Sequence, residues 1–435
     1  MTTSEQERPL VTGQPDDGTG VADGLFAGVR ILEFSWFGAG PIAAKWYADL
    51  GADVVRVESV VRPDALRFGM PRPVVYPTDP NASGYFNNFN SSKRSITLEM
   101  GHPEALKVAK RLIDWCDVVV ENFRPTVMAR WGLDYETVSA DHPELIYVSM
   151  PAVGREGPRA GYAGFGTGIK MISGLAMLSG TPDQIPIGPP GAFPDYVINC
   201  GHGGASIIAA LLHRQATGEG QFIEVAQMES SIAVTGTAVL EATVNGRAAE
   251  RIGNRHPVYC PHGVFSCAGD AAGNSAGDDD WVAIAVTIQA EWEVLCRTIG
   301  RDEWLVDPRL ATLPARRHQV EELEKGVEAW TRHWPARHVE EVLREAGVPV
   351  AKAQTNQELL QEDDHLRQRR YYWTLDHPLL GPTSYDATPF RLSETPAWGR
   401  RPAPLLGEHN VDVYQEAGFD MEEIADLVAQ GIISG

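Results

Sequence analysis

Four groups of residues in this sequence have types and spacings that could do chemistry. Asp195 stands alone between Phe193-Pro194 and the glycine-rich Gly201-His-Gly-Gly204. A carboxylate carried on a Gly/Pro-rich segment to the start of an apolar helix could act as a nucleophile or base, or simply cap that helix. Arg62, Arg67, Lys93, Arg94, Arg124 and Arg130 fall near the ends of expected strands and the starts of expected helices. There they could neutralise a phosphorylated cofactor, although scattered surface cations are common. Gly38-Ala-Gly-Pro-Ile-Ala43 is a loose G-x-G-x-x-A, and Glu58 follows Gly38 by 20 positions. That is the spacing of a dinucleotide fingerprint, but Pro41 removes one N–H that a pyrophosphate would use, so no NAD is expected. His256, Cys260, His262 and Cys267 are four side chains of metal-ligating type. They lack the paired knuckles of structural zinc sites, so an ordinary strand and no metal are expected.

The elements that position these residues follow from periodicity. The run 29–34 predicts a strand, Phe37-Gly-Ala-Gly-Pro41 a tight turn, 42–50 a helix and 53–58 a second strand. Pro41 suits a first helical position and Gly51 a left-handed cap. This βαβ unit, with a helix over 104–115 and strands over 117–121 and 145–149, predicts an α/β fold: a Rossmann-like large domain with a parallel sheet. The expected boundaries are a mobile tail (1–24), the first part of the large domain (25–225), a linker helix (226–255), a smaller α+β domain (256–350) and a return to the large domain (351–435). Gly and Pro crowd 154–204 and predict loops feeding one site. Residues 269–280 predict a surface loop, and 421–429 a final helix.

With 58 acidic against 37 basic side chains the net charge is −21, and 43% of residues are apolar. That balance fits a soluble globular chain and argues against nucleic-acid or anionic-membrane partners. An anionic ligand then needs locally placed Arg and Lys. The first 23 residues lack the layout of a signal peptide, and no apolar run approaches a membrane span. Five cysteines without a CxxC pair point to reduced thiols and a cytoplasmic location.

Several segments together resemble the class III CoA-transferases, the formyl-CoA transferase and carnitine CoA-transferase type. They include Gly28-Val-Arg-Ile-Leu-Glu-Phe34, Ala48-Asp-Leu-Gly-Ala-Asp-Val-Val-Arg-Val-Glu58, Asn90-Ser-Ser-Lys-Arg-Ser-Ile-Thr-Leu98 and Val120-Glu-Asn-Phe-Arg-Pro125. Leu145-Ile-Tyr-Val-Ser149, Thr217-Gly-Glu-Gly-Gln221, Arg391-Leu-Ser-Glu-Thr-Pro396 and Arg401-Pro-Ala-Pro-Leu-Leu-Gly-Glu-His409 extend the likeness over almost the whole chain. The resemblance implies an interlocked homodimer and acyl-CoA and a small carboxylic acid as substrates. It puts the family's catalytic aspartate, in an Asp-x-x-x-Gly stretch, on Asp195, although the next glycine here is Gly201. CoA contacts would fall on Ala39, Lys93, Asn122, Phe123 and Arg130, with Arg94 beside them.

Departures from the pattern bear on the substrate. Trp36 and Gly38 stand where the formyl-CoA type has polar side chains, so they are assigned to the pocket of a larger, partly apolar acid. Ser59 replaces a basic residue, with Arg62 nearby. Phe165-Gly166 replaces the His-Asp pair of related racemases, and the glycine loop of the formyl-CoA enzyme has no counterpart near 253–265. The implied chemistry passes through an Asp195 anhydride and an aspartyl-CoA thioester, with backbone N–H groups of 164–168 and 201–204 facing the oxyanions. The alternatives are a CoA-ester isomerase or lyase, or a non-catalytic partner subunit on the same fold.

Overall fold

The computed structural model describes residues 24–191, 193–269 and 280–435. The expected N-terminal tail up to residue 23 and residues 270–279 of the expected surface loop lie outside the described residues. Six strands form one parallel sheet: β1 (Arg30–Glu33), β2 (Asp53–Glu58), β3 (Arg94–Thr97), β4 (Val118–Glu121), β5 (Ile146–Ser149) and β6 (Gln221–Glu224). Their order is β3-β2-β1-β4-β5-β6, that of a doubly wound nucleotide-binding sheet.

Successive apolar side chains point to opposite faces of each strand, and both faces are covered. Leu32, Val55, Ile96, Val119 and Tyr147 pack into one core, which also holds Leu112 and Ile113 from the helix Ala105–Trp115. Ile31, Val54, Val118, Val120, Ile146 and Val148 face the other, under the helices Ala39–Asp49 and Cys200–Thr217. The first of these, α1, buries ten of its eleven residues, which its Ala/Gly-rich sequence permits: a Cβ on Gly40 would lie 2.4 Å from Ser35 Cβ.

The strand order turns back between β1 and β4, which opens a crevice at their carboxyl ends. Beneath it six charged side chains are buried almost completely: Glu33, Arg56, Glu58, Asp64, Arg67 and Lys93. Arg67 grips both Glu58 oxygens (2.9 and 2.7 Å) and lies 3.8 Å over the Phe86 ring. Arg56 reaches Glu33, Glu58 and Asp64, and Lys93 Nζ donates to Glu33 and Asn90 at 2.8 and 2.9 Å. Three cations against three carboxylates cancel, the condition under which buried ions are tolerated. Burial alone would raise the Glu58 carboxyl, but Arg67 and Arg56 outweigh it and hold it at about 2.

The chain divides into two compact units. Among the described residues, the first unit comprises those up to Ala176, those within Gly188–Ala248 and Arg367–Gly435; the second comprises Met177–Ile187 and those within Ala249–Leu366. The second unit therefore runs 16 residues past the expected end at 350 and takes in a segment of the glycine-rich middle, where Arg251 Nε bonds Thr181 O at 3.1 Å. Its core lies against the antiparallel strands His262–Cys267, Asp280–Ala285 and Val350–Lys352, with Trp292 and Trp304 stacked at 5.7 Å. In the first unit the C-terminal return closes the sheet edge. Asn410 accepts from Thr97 N at 2.7 Å, and Arg94 pairs with both Asp53 and Glu416. The expected linker helix is two, Gln227–Ala233 and Gly236–Asn245, broken where Thr235 Oγ1 bonds back to Ile232 O.

Lys93→Met leaves Glu33 short of a partner and should lower unfolding stability by about 3–5 kcal/mol, read from denaturant midpoints. Unchanged stability would show that the cluster does not depend on it. Acid unfolding should follow Glu58, whose stabilisation is present above its ordinary 4.5 and lost as pH falls toward about 2.

Candidate active site

The crevice is a cavity of about 1140 Å³ lined by Trp36, Phe37, Gly38, Ala39, Asn122, Phe123, Arg130 and Asp195, with Arg62 and Arg124 also on its wall. Two turns build it. After β1 the chain passes through Phe37, a non-glycine residue in the left-handed region (φ 60°), a conformation that needs support. Asp64 supplies it: its carboxylate accepts from Phe37 N at 3.0 Å while held by Arg56. After β4, Asn122 clasps the first turn, accepting from Trp36 N (2.8 Å) and donating to Trp36 O (2.6 Å). Glu121 fixes the next residue by accepting from Phe123 N at 2.8 Å, and burial raises its carboxyl to about 7. Phe123 stands edge-on to Trp36 and Trp131 at 5.6 and 5.7 Å.

Asp195 enters from a third direction, on the turn Pro194–Asn199, which is π-helical: the Cys200 N–H bonds Asp195 O, five residues back. Such wide turns recur at functional sites. The helix Cys200–Thr217 continues from it. The carboxylate is set against two glycines. A Cβ on Gly38 would lie 2.8 Å from Asp195 Cβ and 2.9 Å from Oδ2; one on Gly166 would lie 3.1 Å from Oδ2 and 2.2 Å from Gly191 O. Only residues without side chains fit at either place. Burial pushes the Asp195 carboxyl up to about 6, against the pull of a hydrogen bond from Asn199. The Tyr85 hydroxyl is raised by its own burial and then by the Asp195 charge. Phe37 and Phe165, which precede the two glycines, bring their rings within 4.6 Å of one another.

The sequence-derived candidates separate into two sets. Asp195, Trp36, Gly38, Ala39, Asn122, Phe123, Arg130, Arg62 and Arg124 come together on the cavity. Lys93 and Arg67 do not: both are completely buried in the ion cluster. Arg94 is likewise turned away, bound to Asp53 and Glu416 at the sheet edge. The expectation that Lys93 and Arg94 touch CoA is corrected accordingly. Ser59 bonds Glu99 in place of a ligand, and Arg62 lies 5.6 Å over the Trp36 ring. Glu58 borders the cavity, yet both its oxygens are engaged by Arg67, leaving none for a ribose.

Residues 201–204 are also corrected. They lie inside a helix, with Gly203 against Met150 and Gly204 against Trp46, so they offer no N–H groups to the cavity. Gly164 and Gly166 do line it. Of the four side chains in 256–267, His256 and His262 bring their rings to 5.3 Å, His256 also stacks on Tyr259 and His262 bonds Asn254 O; among the described residues no group of three His, Cys, Asp or Glu is arranged to hold a metal. Asp64, Tyr85, Glu121, Asn199 and Gln227 went unnoticed in the sequence. Each is a common residue type whose role depends on a partner far along the chain.

A doubly wound sheet whose switch-point crevice carries cations on its wall and one desolvated carboxylate defines an α/β enzyme for an extended anionic substrate. The chain belongs to CoA-transferase family III, whose sequence model matches residues 26–410. It is 31% identical over 415 residues to the succinyl-CoA–D-citramalate CoA-transferase of Chloroflexus aurantiacus, covering 93% of this chain and 97% of that protein. It is also 31% identical over 392 residues to the succinate–glutarate CoA-transferase of Agrobacterium fabrum (90% and 95%). The formyl-CoA:oxalate CoA-transferase of Afipia carboxidovorans shares 29% over 425 residues (93% and 97%). Among solved structures, a CAIB/BAIF family protein from Brucella suis superposes with a TM-score of 0.81 at 29% identity, covering 90% of this chain and 98% of that one.

Gly38→Ala must displace the Asp195 carboxylate, because the new methyl group occupies its place. Turnover should fall by about 100-fold with little change in unfolding midpoint. Unaltered kcat would mean that the carboxylate does not work from this position.

Proposed function

We propose that this enzyme moves CoA from an acyl-CoA to a carboxylic acid with Asp195 as the covalent carrier. The observation that carries this reading is the Asp195 carboxylate itself, desolvated and wedged between Gly38 and Gly166 at a cavity with arginines on its wall. A carboxylate in water is a weak nucleophile towards a thioester; taken out of water and aligned, it becomes competent. An Asp195 oxygen attacks the acyl-CoA carbonyl, the C–S bond breaks, and a mixed anhydride and CoA thiolate form. The thiolate attacks the aspartyl carbonyl, expelling the donor acid as its carboxylate and leaving an aspartyl-CoA thioester. The acceptor carboxylate attacks that carbonyl and expels the thiolate, which then attacks the acceptor's own carbonyl and frees Asp195. One thioester replaces another, so the sequence needs no energy source.

Arg62, Arg124 and Arg130 are assigned to the phosphates of CoA, and Phe123 and the Ala39 turn to its adenine or pantetheine arm. Gly164 and Gly166 are placed to offer backbone N–H groups to the oxyanions. The rings of Phe37, Phe165 and Tyr85 near Asp195 favour an acid larger and more apolar than formate or oxalate. A homodimer fits the helix Gly236–Asn245, which has no buried residue although it carries Val239, Leu240 and Val244. No described helix is long and apolar enough to cross a membrane. A cytoplasmic enzyme is consistent with five free cysteines.

The test is a mass-spectrometric panel of acetyl-, succinyl- and benzoyl-CoA against acetate, succinate, glutarate, oxalate and benzoate, with hydroxylamine trapping at Asp195. Asp195→Asn should abolish transfer. It should also stabilise the fold at pH 8 by on the order of 1–3 kcal/mol, since a carboxyl raised to about 6 destabilises the native state progressively as pH rises from its unfolded 3.8 through 6. In the wild type, kcat/KM should fall below about pH 6 as the nucleophile is protonated. Retained transfer in Asp195→Asn would remove Asp195 from the mechanism.

A further inference from the structure

Beside Asp195 lies a pair of buried amides, Asn199 and Gln227, that the scheme above does not use, and Gln227 borders the cavity as Asp195 does. Asn199 is fully buried, closes the π-helical turn four residues after Asp195, and is the side chain that pulls the Asp195 carboxyl down against its burial. Its Nδ2 also donates to Gln227 Oε1 at 3.3 Å, and Gln227 Nε2 donates to Met150 O at 2.7 Å. Gln227 is itself pinned, because its backbone N–H bonds Pro151 O at 3.0 Å and the next N–H bonds Ala152 O at 2.9 Å.

The polarity of this chain of amides is forced from one end. Met150 O belongs to the main chain and can only accept, so Gln227 must present its NH₂ there and its oxygen to Asn199. Asn199 must then present its NH₂ to Gln227, which leaves the second hydrogen of that NH₂ as the one it can offer to Asp195. Asn199 Oδ1 consequently has no hydrogen-bond partner although it is buried. A buried acceptor left unsatisfied destabilises a fold, and such an orphan points to a constraint imposed by function. Were the amide free to turn, its oxygen would face the Asp195 carboxylate and repel it.

We propose that Asn199 is a catalytic hydrogen-bond donor to the Asp195 side chain, and that Gln227 is the positioning residue that fixes its polarity. In the resting enzyme the Asn199 N–H holds the carboxylate in the rotamer that faces the cavity. Once Asp195 is acylated or carries CoA, the same N–H meets the aspartyl carbonyl oxygen and stabilises the charge that collects there when thiolate or carboxylate adds. The inference rests on Asp195 being the covalent carrier. The titratable groups coupled to Asp195 are Tyr85, on the helix Gly84–Phe89, and Cys200, both uncharged near neutral pH, so the amide donor is its main polar support.

The experiment compares Asn199→Ala, Gln227→Ala and Asp195→Asn in the full-length enzyme, using the donor–acceptor pair from the panel above that turns over fastest. Asn199→Ala should lose about 100-fold in kcat, keep KM for the CoA ester within about threefold, and move the acid limb of kcat/KM to higher pH, because the ionised carboxylate has lost a donor. Gln227→Ala should move that limb in the same direction by less, since Asn199 remains but its amide can turn. Activity loss with an unmoved acid limb in both variants would reduce the pair to a structural role and overturn the proposal, as would an unchanged kcat in Asn199→Ala. Should Asn199→Ala fail to fold by circular dichroism, the acid limb of Gln227→Ala decides. Transfer that survives Asp195→Asn overturns the carrier assignment itself. An inactive Asp195→Asn beside unaffected Asn199 and Gln227 variants overturns this inference alone.

Discussion

Everything at the mouth of the sheet depends on charge neutrality beneath it. Glu33, Glu58 and Asp64 are held by Arg56, Arg67 and Lys93 in a region that water does not enter. None of the six is tolerable there alone, so β1, β2 and the residue that leads into β3 are tied into one body. Asp64 uses that rigidity to hold the Phe37 N–H and with it a backbone turn that would otherwise relax. Gly38 follows directly, and its lack of a side chain makes room for Asp195. A set of ion pairs that does not touch Asp195 thus determines where its carboxylate can stand.

The same cluster explains why similar residue types have different tasks. Lys93 and Arg130 are both cations within the matched family region, but one lies completely buried among carboxylates and the other is exposed on the cavity wall. A chain of net charge −21 has few cations to place, and part of that supply is committed inside. The arginines on the cavity wall come instead from the segments after β2 and β4, where strand ends meet at the switch point. Two carboxylates that border the cavity divide similarly. Glu58, paired twice, is held at about 2, whereas Asp195, with an amide for support, rises to about 6.

Much of the architecture was legible in the sequence. Strand periodicity in 29–34, 53–58, 117–121 and 145–149 corresponds to β1, β2, β4 and β5, whereas Pro41, expected at the first helical position, is the third residue of α1, still in the first turn where its missing N–H is tolerated. What could not be read locally was tertiary partnership. Lys93 sits in a motif that looks ready to bind phosphate, and only Glu33, 60 residues away in the chain, makes it structural. Residues 201–204 looked like loop because glycine is frequent in loops; close approach of Met150 and Trp46 requires small residues in a helix instead. Asn199 and Gln227 carry no sequence signal, since their meaning lies in the direction of hydrogen bonds set by Met150 O.

The wide turn at Pro194–Asn199 has a consequence for how this region tolerates change. Its extra backbone length rotates whatever precedes it relative to the helix that follows. Deleting one residue between Asp195 and the helix that begins at Cys200 would let the turn tighten to ordinary α geometry and swing Asp195 by about 100° around the axis, away from both glycines. Side-chain identity at Val197 is of little account by comparison, as it is exposed. In this stretch it is residue count, more than residue type, that aims the carboxylate.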